Sequence, residues 1–512
     1  MKIFSQKQIY EADKATLAKE NIPSINLMER AGGYAFNWID QRLQGGAVPI
    51  KVFCGIGNNG GDGLVIARNL IEKGYNVKIY IVNYSDHRSK DFLLAYDRLK
   101  QQTKNWPEVI KIGQDIPEIG STDLVIDALF GIGYNRPVDK WVHALYERIN
   151  NSGAYILSID IPSGLYMDKV PGEDEVFIQP TTVLTFQFPK LIFFLPQTGK
   201  YIDNWTVIDI GLDAEYMATT PTDIELIDKF EAQQMYRPKT KFSHKGTNGH
   251  SLIIGGSYGK MGSVTMSAKA CLHSGSGLVT AFVPALGVDI MQTAFPEAMV
   301  VADRHRGKYL EEIDFELDPD VIGIGMGMGT EGQTIKAFGD FLKSNKKPLV
   351  VDADALNILA KNPGFLQYLP NKSILTPHPK ELERLIGEWK DDFDKLEKAK
   401  QFAKEHDIVL VIKGAHTITV YDNKLYINNT GNPGMGTAGA GDVLTGVITG
   451  LLAQKYDPLH AAIFGVYLHG RAGDIAISHT SYESLIAGNL VEFLGQAFVD
   501  LFKKPEQPQM AQ

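Results

Sequence analysis

Residues 431–446 read Gly-Asn-Pro-Gly-Met-Gly-Thr-Ala-Gly-Ala-Gly-Asp-Val-Leu-Thr-Gly, and they decide how the second half of the chain is interpreted. The glycines lead into Asp442 and an apolar run, Val443–Leu452, that predicts a helix. Glycine lets the backbone approach a ligand closely, and the N–H groups at a helix start bind anions. A carboxylate beside such a cradle indicates a base that takes a proton from a hydroxyl while a nucleotide lies alongside. The alternative is a turn whose aspartate caps the helix.

Composition sets the class of protein. A chain of 512 residues with 44% hydrophobic and 22% charged residues predicts a globular protein with two large domains. A net charge of −9 gives no reason to expect nucleic acid or an acidic membrane as partner. The two cysteines, Cys54 and Cys271, and an N-terminus without a signal pattern favour a cytoplasmic protein. We expect small-molecule partners and a homo-oligomer.

Short apolar runs alternate with helical patterns along the whole chain, which predicts an α/β protein with largely parallel sheets. We expect a domain over residues 1–215, a linker over 216–240 that is poor in apolar residues, and a second domain over 241–512. Strands are predicted at Ile50–Cys54, Val77–Val82, Leu124–Asp127, Tyr155–Asp160, Val183–Phe186, Trp205–Ile208, Ser251–Gly255, Leu278–Val283, Val321–Ile324, Leu349–Asp352, Ser373–Leu375, Val409–Ile412, Thr417–Tyr421 and Leu425–Asn428. Helices are predicted at Lys7–Glu20, Ile25–Leu43, Leu64–Lys73 and from Asp442 onward.

Residues 55–63 read Gly-Ile-Gly-Asn-Asn-Gly-Gly-Asp-Gly between a predicted strand and helix. The first six match G-x-G-x-x-G, so an NAD-dependent dehydrogenase must be considered. That function expects an acidic residue at the end of the next strand to bind ribose, but the strand ends in Val82-Asn83-Tyr84. The additional Asn58, Asn59 and Asp62 indicate a site that positions a polar ligand or an ion.

Two further strand ends carry related chemistry. Asp127 follows an apolar strand and precedes a glycine-rich loop, and Asp160 and Ser163 follow the next strand. In open α/β sheets, ligands bind beyond the carboxyl ends of the strands. Oxygen ligands from Asn59, Asp127 and Ser163 suit a hard cation. Asp160 is then the candidate general acid or base.

These three motifs, Asn-Asn-Gly-Gly-Asp-Gly, Asp-Ala-Leu-Phe-Gly-Ile-Gly and Asp-Ile-Pro-Ser-Gly, resemble those of the NAD(P)H-hydrate epimerase domain, a Rossmann-like α/β/α sandwich. The resemblance covers nearly all of residues 1–215. It implies interconversion of the R and S hydrates of nicotinamide cofactors and a potassium ion on Asn59, Asp127 and Ser163. It also implies substrate contacts from Asn58, Asn59, Gly60, Gly61, Asp62, Gly131, Ile132, Gly133, Tyr134, Asn135, Arg136, Pro137 and Asp160.

The second half carries a further set of ordered motifs. They are His-Lys-Gly-Thr-Asn-Gly-His at 244–250, Gly-Gly-Ser-Tyr-Gly-Lys-Met-Gly-Ser at 255–263, Ile-Gly-Ile-Gly-Met-Gly-Met-Gly-Thr at 322–330, Val-Val-Asp-Ala-Asp-Ala-Leu-Asn at 350–357, Leu-Thr-Pro-His-Pro-Lys-Glu-Leu at 375–382 and Val-Ile-Lys-Gly-Ala-His-Thr at 411–417. With the loop at 431–446 they resemble the ribokinase-like NAD(P)H-hydrate dehydratase. The whole chain therefore resembles the bifunctional NAD(P)H-hydrate repair enzymes.

This second resemblance implies that an ADP-dependent dehydratase removes water from the S hydrate, giving AMP and phosphate, with magnesium at the phosphates. Substrate would contact Ser263, Gly327, His378 and Asp442, and the nucleotide would contact Lys413, Gly414, Ala415, His416, Thr417 and Gly441. Asp442 would act as the base, and the amides at 439–441 would stabilise the transferred phosphoryl group. Two other functions remain open: a ribokinase-like kinase of a small alcohol or vitamin precursor in the second half, and a protein-binding module in the first half.

Overall fold

The computed structural model describes residues 1–504 of the chain. They form two compact units. The N-terminal unit contains residues 2–222 and 391–393, and the C-terminal unit contains residue 1, residues 223–390 and, of the described residues, 394–504. Both units are α/β with largely parallel sheets, so the predicted fold class is confirmed. Within the described residues, no helix combines the length and the apolarity that a bilayer crossing requires.

The N-terminal unit is built on one seven-stranded sheet in the order β3-β2-β1-β4-β5-β6-β7, in which every pair of neighbours is parallel. Its strands are β1 (Ile50–Cys54), β2 (Val77–Val82), β3 (Glu108–Ile110), β4 (Leu124–Ala128), β5 (Tyr155–Ile159), β6 (Thr182–Phe186) and β7 (Trp205–Ile208). Its helices are α1 (Gln6–Glu20), α2 (Ser24–Leu43), α3 (Asn58–Lys73), α4 (Lys90–Gln102), α5 (Lys140–Asn150), α6 (Pro196–Gly199) and α7 (Ala214–Thr219). The order of the first five strands is that of a Rossmann sheet, and it reverses direction between β1 and β4.

The C-terminal unit is built on a ten-stranded sheet in the order β11-β10-β9-β12-β13-β14-β15-β16-β17-β8. The strands are β8 (Ile224–Ile227), β9 (His250–Ile254), β10 (Leu278–Val283), β11 (Met299–Ala302), β12 (Val321–Ile324), β13 (Leu349–Val351), β14 (Ile374–Leu375), β15 (Val409–Ile412), β16 (Ile418–Tyr421) and β17 (Lys424–Asn428). The helices are α8 (Lys229–Met235), α9 (Met261–His273), α10 (Val288–Ala294), α11 (Gly332–Ser344), α12 (Asp354–Lys361), α13 (Pro379–Ile386), α14 (Asp392–Glu405), α15 (Ala440–Ala453), α16 (Pro458–Ala476) and α17 (Ala487–Asp500). The strands from β11 to β15 are parallel, and β16 is antiparallel to both of its neighbours.

The segment 216–240, predicted as a linker, is largely ordered. It contains the end of α7, the edge strand β8 and helix α8. Strand β8 pairs in parallel with β17, and Leu226 and Ile227 are buried. Residues 216–240 include few apolar residues because an edge strand and a seven-residue helix bury few side chains.

Most predicted elements occur within a residue or two of their expected bounds, but two boundaries near the first site differ. Helix α3 begins at Asn58, six residues before the predicted start. A Cβ on Gly60 would lie 1.9 Å from the carbonyl oxygen of Gly55, so close packing of the helix on its strand requires glycine there. This packing outweighs the low helix propensity of the glycines. Strand β5 ends at Ile159, and Asp160 has φ +70°.

Candidate active sites

A cavity of about 690 Å³ lies at the carboxyl ends of β1, β4 and β5, where the order of the N-terminal sheet reverses. Predicted substrate residues line it: Asn58, Asn59, Asp62, Gly131, Ile132, Gly133, Tyr134, Asn135, Arg136, Pro137 and Asp160. Gly60 and Gly61 do not line it, because they pack under the helix start; a Cβ on Gly61 would meet the sulfur of Met28 at 2.5 Å. The structure therefore brings together all but two of the residues predicted for this pocket.

Asp160 is held in place by a lysine that was not predicted from the sequence. Lys190 Nζ donates to Asp160 Oδ1 at 2.8 Å, and the lysine side chain is 1% exposed. The same ammonium group donates to Thr185 Oγ1 at 2.6 Å and to two backbone carbonyls after β6. The amide of Ile132 approaches the other carboxylate oxygen at 3.3 Å. A sequence signal existed, because Lys190 is the one charge in the apolar run from Val183 to Leu195.

Asp127 is fully buried within β4 rather than beyond its end. Ser163 donates to its carboxylate through both Oγ (2.5 Å) and its backbone amide (3.0 Å), and Ser158 Oγ donates at 2.7 Å. Burial raises the pKa of Asp127 in spite of these hydrogen bonds. Within residues 1–504 the carboxyl group of Asp127 has no ion-pair partner, which is compatible with the cation predicted from the sequence.

Asn59 is the third residue predicted to bind the ion. Both polar atoms of its side chain are buried without a hydrogen-bond partner among the described residues. A Cβ built on Gly131 would lie 3.3 Å from Asn59 and 3.1 Å from Asp160 Oδ2, so the orphaned amide faces the cavity beside Asp160. An unpartnered buried amide and a buried carboxylate without a counter-ion fit a monovalent cation.

Helix α1 adds Tyr10 and Asp13 to the cavity wall, and neither was predicted from the sequence. Burial, and next the charge of Asp160, raise the pKa of Asp13 to about 7, while Lys190 opposes the shift. Burial and the neighbouring carboxylates also hold the pKa of Asp62 well above its ordinary value. The cavity therefore contains several carboxyl groups in different environments.

In the C-terminal unit, helix α15 begins directly after Gly439, which has a left-handed backbone (φ +88°). Asp442 lies in the first turn of this helix. Burial is the main cause that raises the pKa of Asp442 to about 6, opposed by a hydrogen bond from Ser263. A Cβ on Gly327, which has φ +60°, would lie 3.4 Å from that of Ser263. Three of the four predicted dehydratase residues, Ser263, Gly327 and Asp442, thus converge at the start of α15.

Lys413 follows β15 and reaches the same helix start. A Cβ on Gly441 would lie 3.3 Å from Lys413 Nζ. The ammonium group donates to Asp352 Oδ1 at 2.8 Å and lies 3.9 Å from Glu381 Oε2. Thr445 Oγ1 donates to the other oxygen of Asp352 at 2.7 Å. The sequence motifs contained Asp352 and Glu381, but no pattern indicated that they would hold Lys413 between them.

The remaining predicted residues lie around Lys413. His378 caps α13, accepting from Lys380 N, and burial and the charge of Lys413 lower its pKa. The backbone amide of Lys413 donates to Pro377 O at 3.0 Å, which brings His378 beside it. Gly414, Ala415, His416 and Thr417 form the connection between β15 and β16, with Gly414 and Ala415 exposed.

Two family models match separate parts of the chain, and relatives match it along most of its length. A family model described as NAD(P)H-hydrate dehydratase matches residues 251–494, and a model described as YjeF-related protein N-terminus matches residues 24–192. A bifunctional NAD(P)H-hydrate repair enzyme of Moorella thermoacetica is 35% identical, with 99% of this chain and 98% of that protein covered. The enzyme of the same description from Escherichia coli is 31% identical, with 91% and 88% covered. The structure of an ADP/ATP-dependent NAD(P)H-hydrate dehydratase from Bacillus subtilis, co-crystallized with ATP/Mg2+, is 27% identical, with a TM-score of 0.48 and 55% and 100% covered.

The fold and the two sites define a two-unit α/β enzyme that carries one candidate catalytic carboxylate in each unit. The length and identity of the match to its relatives then identify the family. The chain belongs to the bifunctional NAD(P)H-hydrate repair enzymes.

Proposed function

We propose that this chain repairs hydrated nicotinamide cofactors in two reactions. The N-terminal unit, with the predicted domain 1–215, epimerises the R and S hydrates of NADH and NADPH. The C-terminal unit, with the predicted domain 241–512, dehydrates the S form and converts ADP to AMP and phosphate. The observation that carries the proposal is the full-length match to bifunctional relatives, together with a separate site in each unit.

The epimerisation is supported by the placement of Asp160 in the N-terminal cavity. Its ion pair with Lys190 fixes the position of the carboxylate, and the left-handed backbone turns it towards the pocket at the end of β5. An ionised carboxylate within a cavity is suited to taking a proton from a substrate hydroxyl. The glycine-rich loop 131–137 would lie against the substrate.

A potassium ion at Asn59, Asp127 and Ser163 is part of the proposal. The orphaned amide of Asn59 and the uncompensated charge of Asp127 fit such an ion. When bound, it would supply a positive charge that stabilises nearby anionic groups of the substrate. Ser163 would then hold the orientation of Asp127 through the two hydrogen bonds already described.

The dehydration is supported by the arrangement around the start of α15. Asp442 would accept the proton of the substrate hydroxyl, and Ser263, Gly327 and His378 would line the hydrate site. Phosphorylation of that hydroxyl turns a poor leaving group into a good one, so that elimination can follow. The first-turn amides of α15 would bind the moving phosphoryl group, with Gly441 close to the nucleotide.

Lys413 would bind the phosphates of ADP. The connection between β15 and β16, residues 414–417, would lie against the rest of the nucleotide. Asp352 and Glu381 fix the lysine so that its ammonium group does not have to be ordered on binding. We also propose Mg²⁺ at the phosphates, where phosphate oxygens and water supply most of its ligands. The ion would neutralise the charge that develops on the transferred group.

The two activities can be separated by isosteric substitutions. We expect Asp160→Asn to stop epimerisation and to leave dehydration of purified S hydrate intact, while Asp442→Asn does the reverse. Chromatographic separation of the R and S hydrates, with and without ADP, measures both activities. Loss of both activities in either variant, with a folded protein, would contradict the assignment of one reaction to each site.

A further inference from the structure

The N-terminal cavity contains a second carboxyl group with no assigned role. Asp13 lies on α1 one turn after Tyr10, and both side chains line the cavity with Asp160. No ion pair or side-chain hydrogen bond to Asp13 occurs within residues 1–504. Of the other carboxyl groups in the cavity, Asp160 and Asp62 interact electrostatically with Asp13, and the cation that acts on Asp13, Lys190, is already paired with Asp160.

This asymmetry sets up an acid and a base in one pocket. Asp160 has a buried ammonium group 2.8 Å from its carboxylate, and Asp13 has none. Like charges disfavour the ionised form of a neighbouring carboxyl group, and an adjacent cation favours the charged form of its partner. When the environments of two carboxyl groups separate their pKa values, one group can act as the acid and the other as the base.

We propose that Asp13 is a catalytic acid of the epimerase site and works opposite the base Asp160. The inference rests on the proposed epimerase function. Hydration of an enamine double bond places the hydroxyl on the carbon bonded to the ring nitrogen, so the hydrate is a hemiaminal. A hemiaminal can invert by opening to an aldehyde and closing again on the other face.

The proton transfers balance between the two side chains. Asp160 takes the hydroxyl proton as the oxygen forms the aldehyde carbonyl, the carbon–nitrogen bond breaks, and its electron pair goes to the nitrogen. Asp13 donates its proton to that nitrogen. After rotation of the aldehyde, the nitrogen attacks the other face and returns its proton to Asp13, while Asp160 returns the first proton to the oxygen. No atom or electron is gained or lost.

The groups that face Asp13 determine how its charge responds to pH. Tyr10 lies on its own helix, Asp62 on α3, and Asp91 at the start of α4. Arg136 and Asp139 lie in the loop before α5, and Asp160 with Lys190 lies beyond β5 and β6. Burial and Asp160 raise the pKa of Asp13 to about 7. The acid is therefore protonated below neutrality and loses its proton as pH rises above about 7.

The test compares Asp13→Asn with Glu11→Gln, a matched control on the same helix whose carboxylate pairs with Lys14 at the surface. Interconversion of purified R and S hydrates is followed by proton NMR without ADP. Dehydration of S hydrate with ADP reports on the C-terminal unit, and urea denaturation reports on folding of the N-terminal unit. We expect Asp13→Asn to slow epimerisation by about 10²–10⁴-fold and to leave dehydration unchanged. We expect Glu11→Gln to keep the wild-type rate.

Two further readouts separate an acid from a structural role. The wild-type rate should fall as pH rises above about 7, and the residual rate of Asp13→Asn should lack that fall. Carbon NMR of aspartate carboxyl groups should show a signal titrating near 7 in the wild type and in Glu11→Gln, and not in Asp13→Asn. Epimerisation by Asp13→Asn at the wild-type rate would overturn the role of Asp13 alone. A wild-type protein that does not epimerise at all would overturn the proposed function, and the carbon signal would still report the state of Asp13.

Discussion

Lys190 is a buried cation whose removal leaves an uncompensated charge. Its side chain is 1% exposed and Asp160 is its carboxylate partner. We expect Lys190→Met to lower the free energy of unfolding by roughly 3–5 kcal/mol, because Asp160 would remain buried without its counter-charge. Epimerisation should be lost with it. Urea denaturation measures the change.

Two comparisons make that prediction specific. Lys200→Met, at an exposed lysine nearby, should change stability by less than about 0.5 kcal/mol. Adding Asp160→Asn to Lys190→Met should recover part of the lost stability, since the second substitution removes the stranded charge. A Lys190→Met protein as stable as the wild type would show that the buried pair does not govern this region.

The raised pKa of Asp442 predicts the pH dependence of dehydration. Burial raises this pKa to about 6, and Asp442 can act as the proposed base only when its carboxyl group is ionised. The kcat/KM for S hydrate should therefore rise as pH is raised through about 6 and then level off. The same shift means that the carboxyl group stabilises the fold at low pH and that this contribution is lost as pH rises through about 6. A rate that is already constant near pH 4 would contradict the assignment of Asp442.

The candidate residues that the sequence revealed share one property. Asp127 lies in the last two residues of a strand, Asp160 directly follows one, and Asp442 lies at a glycine-rich helix start, so local pattern alone indicates a ligand site at each. Asp13 carries no such mark, because a charged residue on an amphipathic helix is ordinarily solvated. Asp13 faces the cavity only because α1 packs over the sheet.

At the scale of elements, the contact between α15 and α9 depends on a glycine. A Cβ on Gly446 would lie 2.2 Å from the carbonyl oxygen of Ser267, and that backbone has no room to yield inside the core. We expect Gly446→Ala to destabilise the protein by about 1–3 kcal/mol. It should also slow dehydration, since Asp442 lies one turn earlier on the same helix.

Gly495 in α17 is the control for this substitution. A Cβ there meets nothing within 4 Å, so Gly495→Ala should stabilise the protein by about 0.5–1 kcal/mol and leave both activities unchanged. Thermal and urea unfolding of the two variants measure the difference. Equal effects of the two substitutions would show that helix propensity, rather than the α15–α9 contact, sets their stability.

Sequence patterns predict some of the helices and strands and miss others. The predicted elements agree with the structure where apolar periodicity decides them, as in β10 (Leu278–Val283) and β15 (Val409–Ile412). Helix α3 began earlier than predicted because close packing on β1 favours glycines that propensity alone would exclude. Strand β8 was missed because its partner, β17, is about two hundred residues away in sequence and only tertiary pairing identifies it.

At the scale of the whole molecule, the pairing of two reactions on one chain has a chemical reason. Hydration without an enzyme gives both epimers, whereas a chiral dehydratase pocket accepts one. An epimerase on the same chain converts the rejected epimer into the accepted one. The combined enzyme can therefore return all of the hydrate to the working cofactor.

The proposed repair of both hydrates is tested most directly by the near-ultraviolet absorbance of reduced nicotinamide, followed after wild-type protein is added to mixed R and S NADH hydrate with ADP, magnesium and potassium. We expect recovery of the full NADH signal in the wild type, and of only the S fraction in Asp160→Asn. Recovery of only the S fraction by the wild type would contradict the epimerase assignment. No recovery with ADP or ATP, together with a stable phosphorylated product from a small alcohol, would contradict the repair function and favour a kinase.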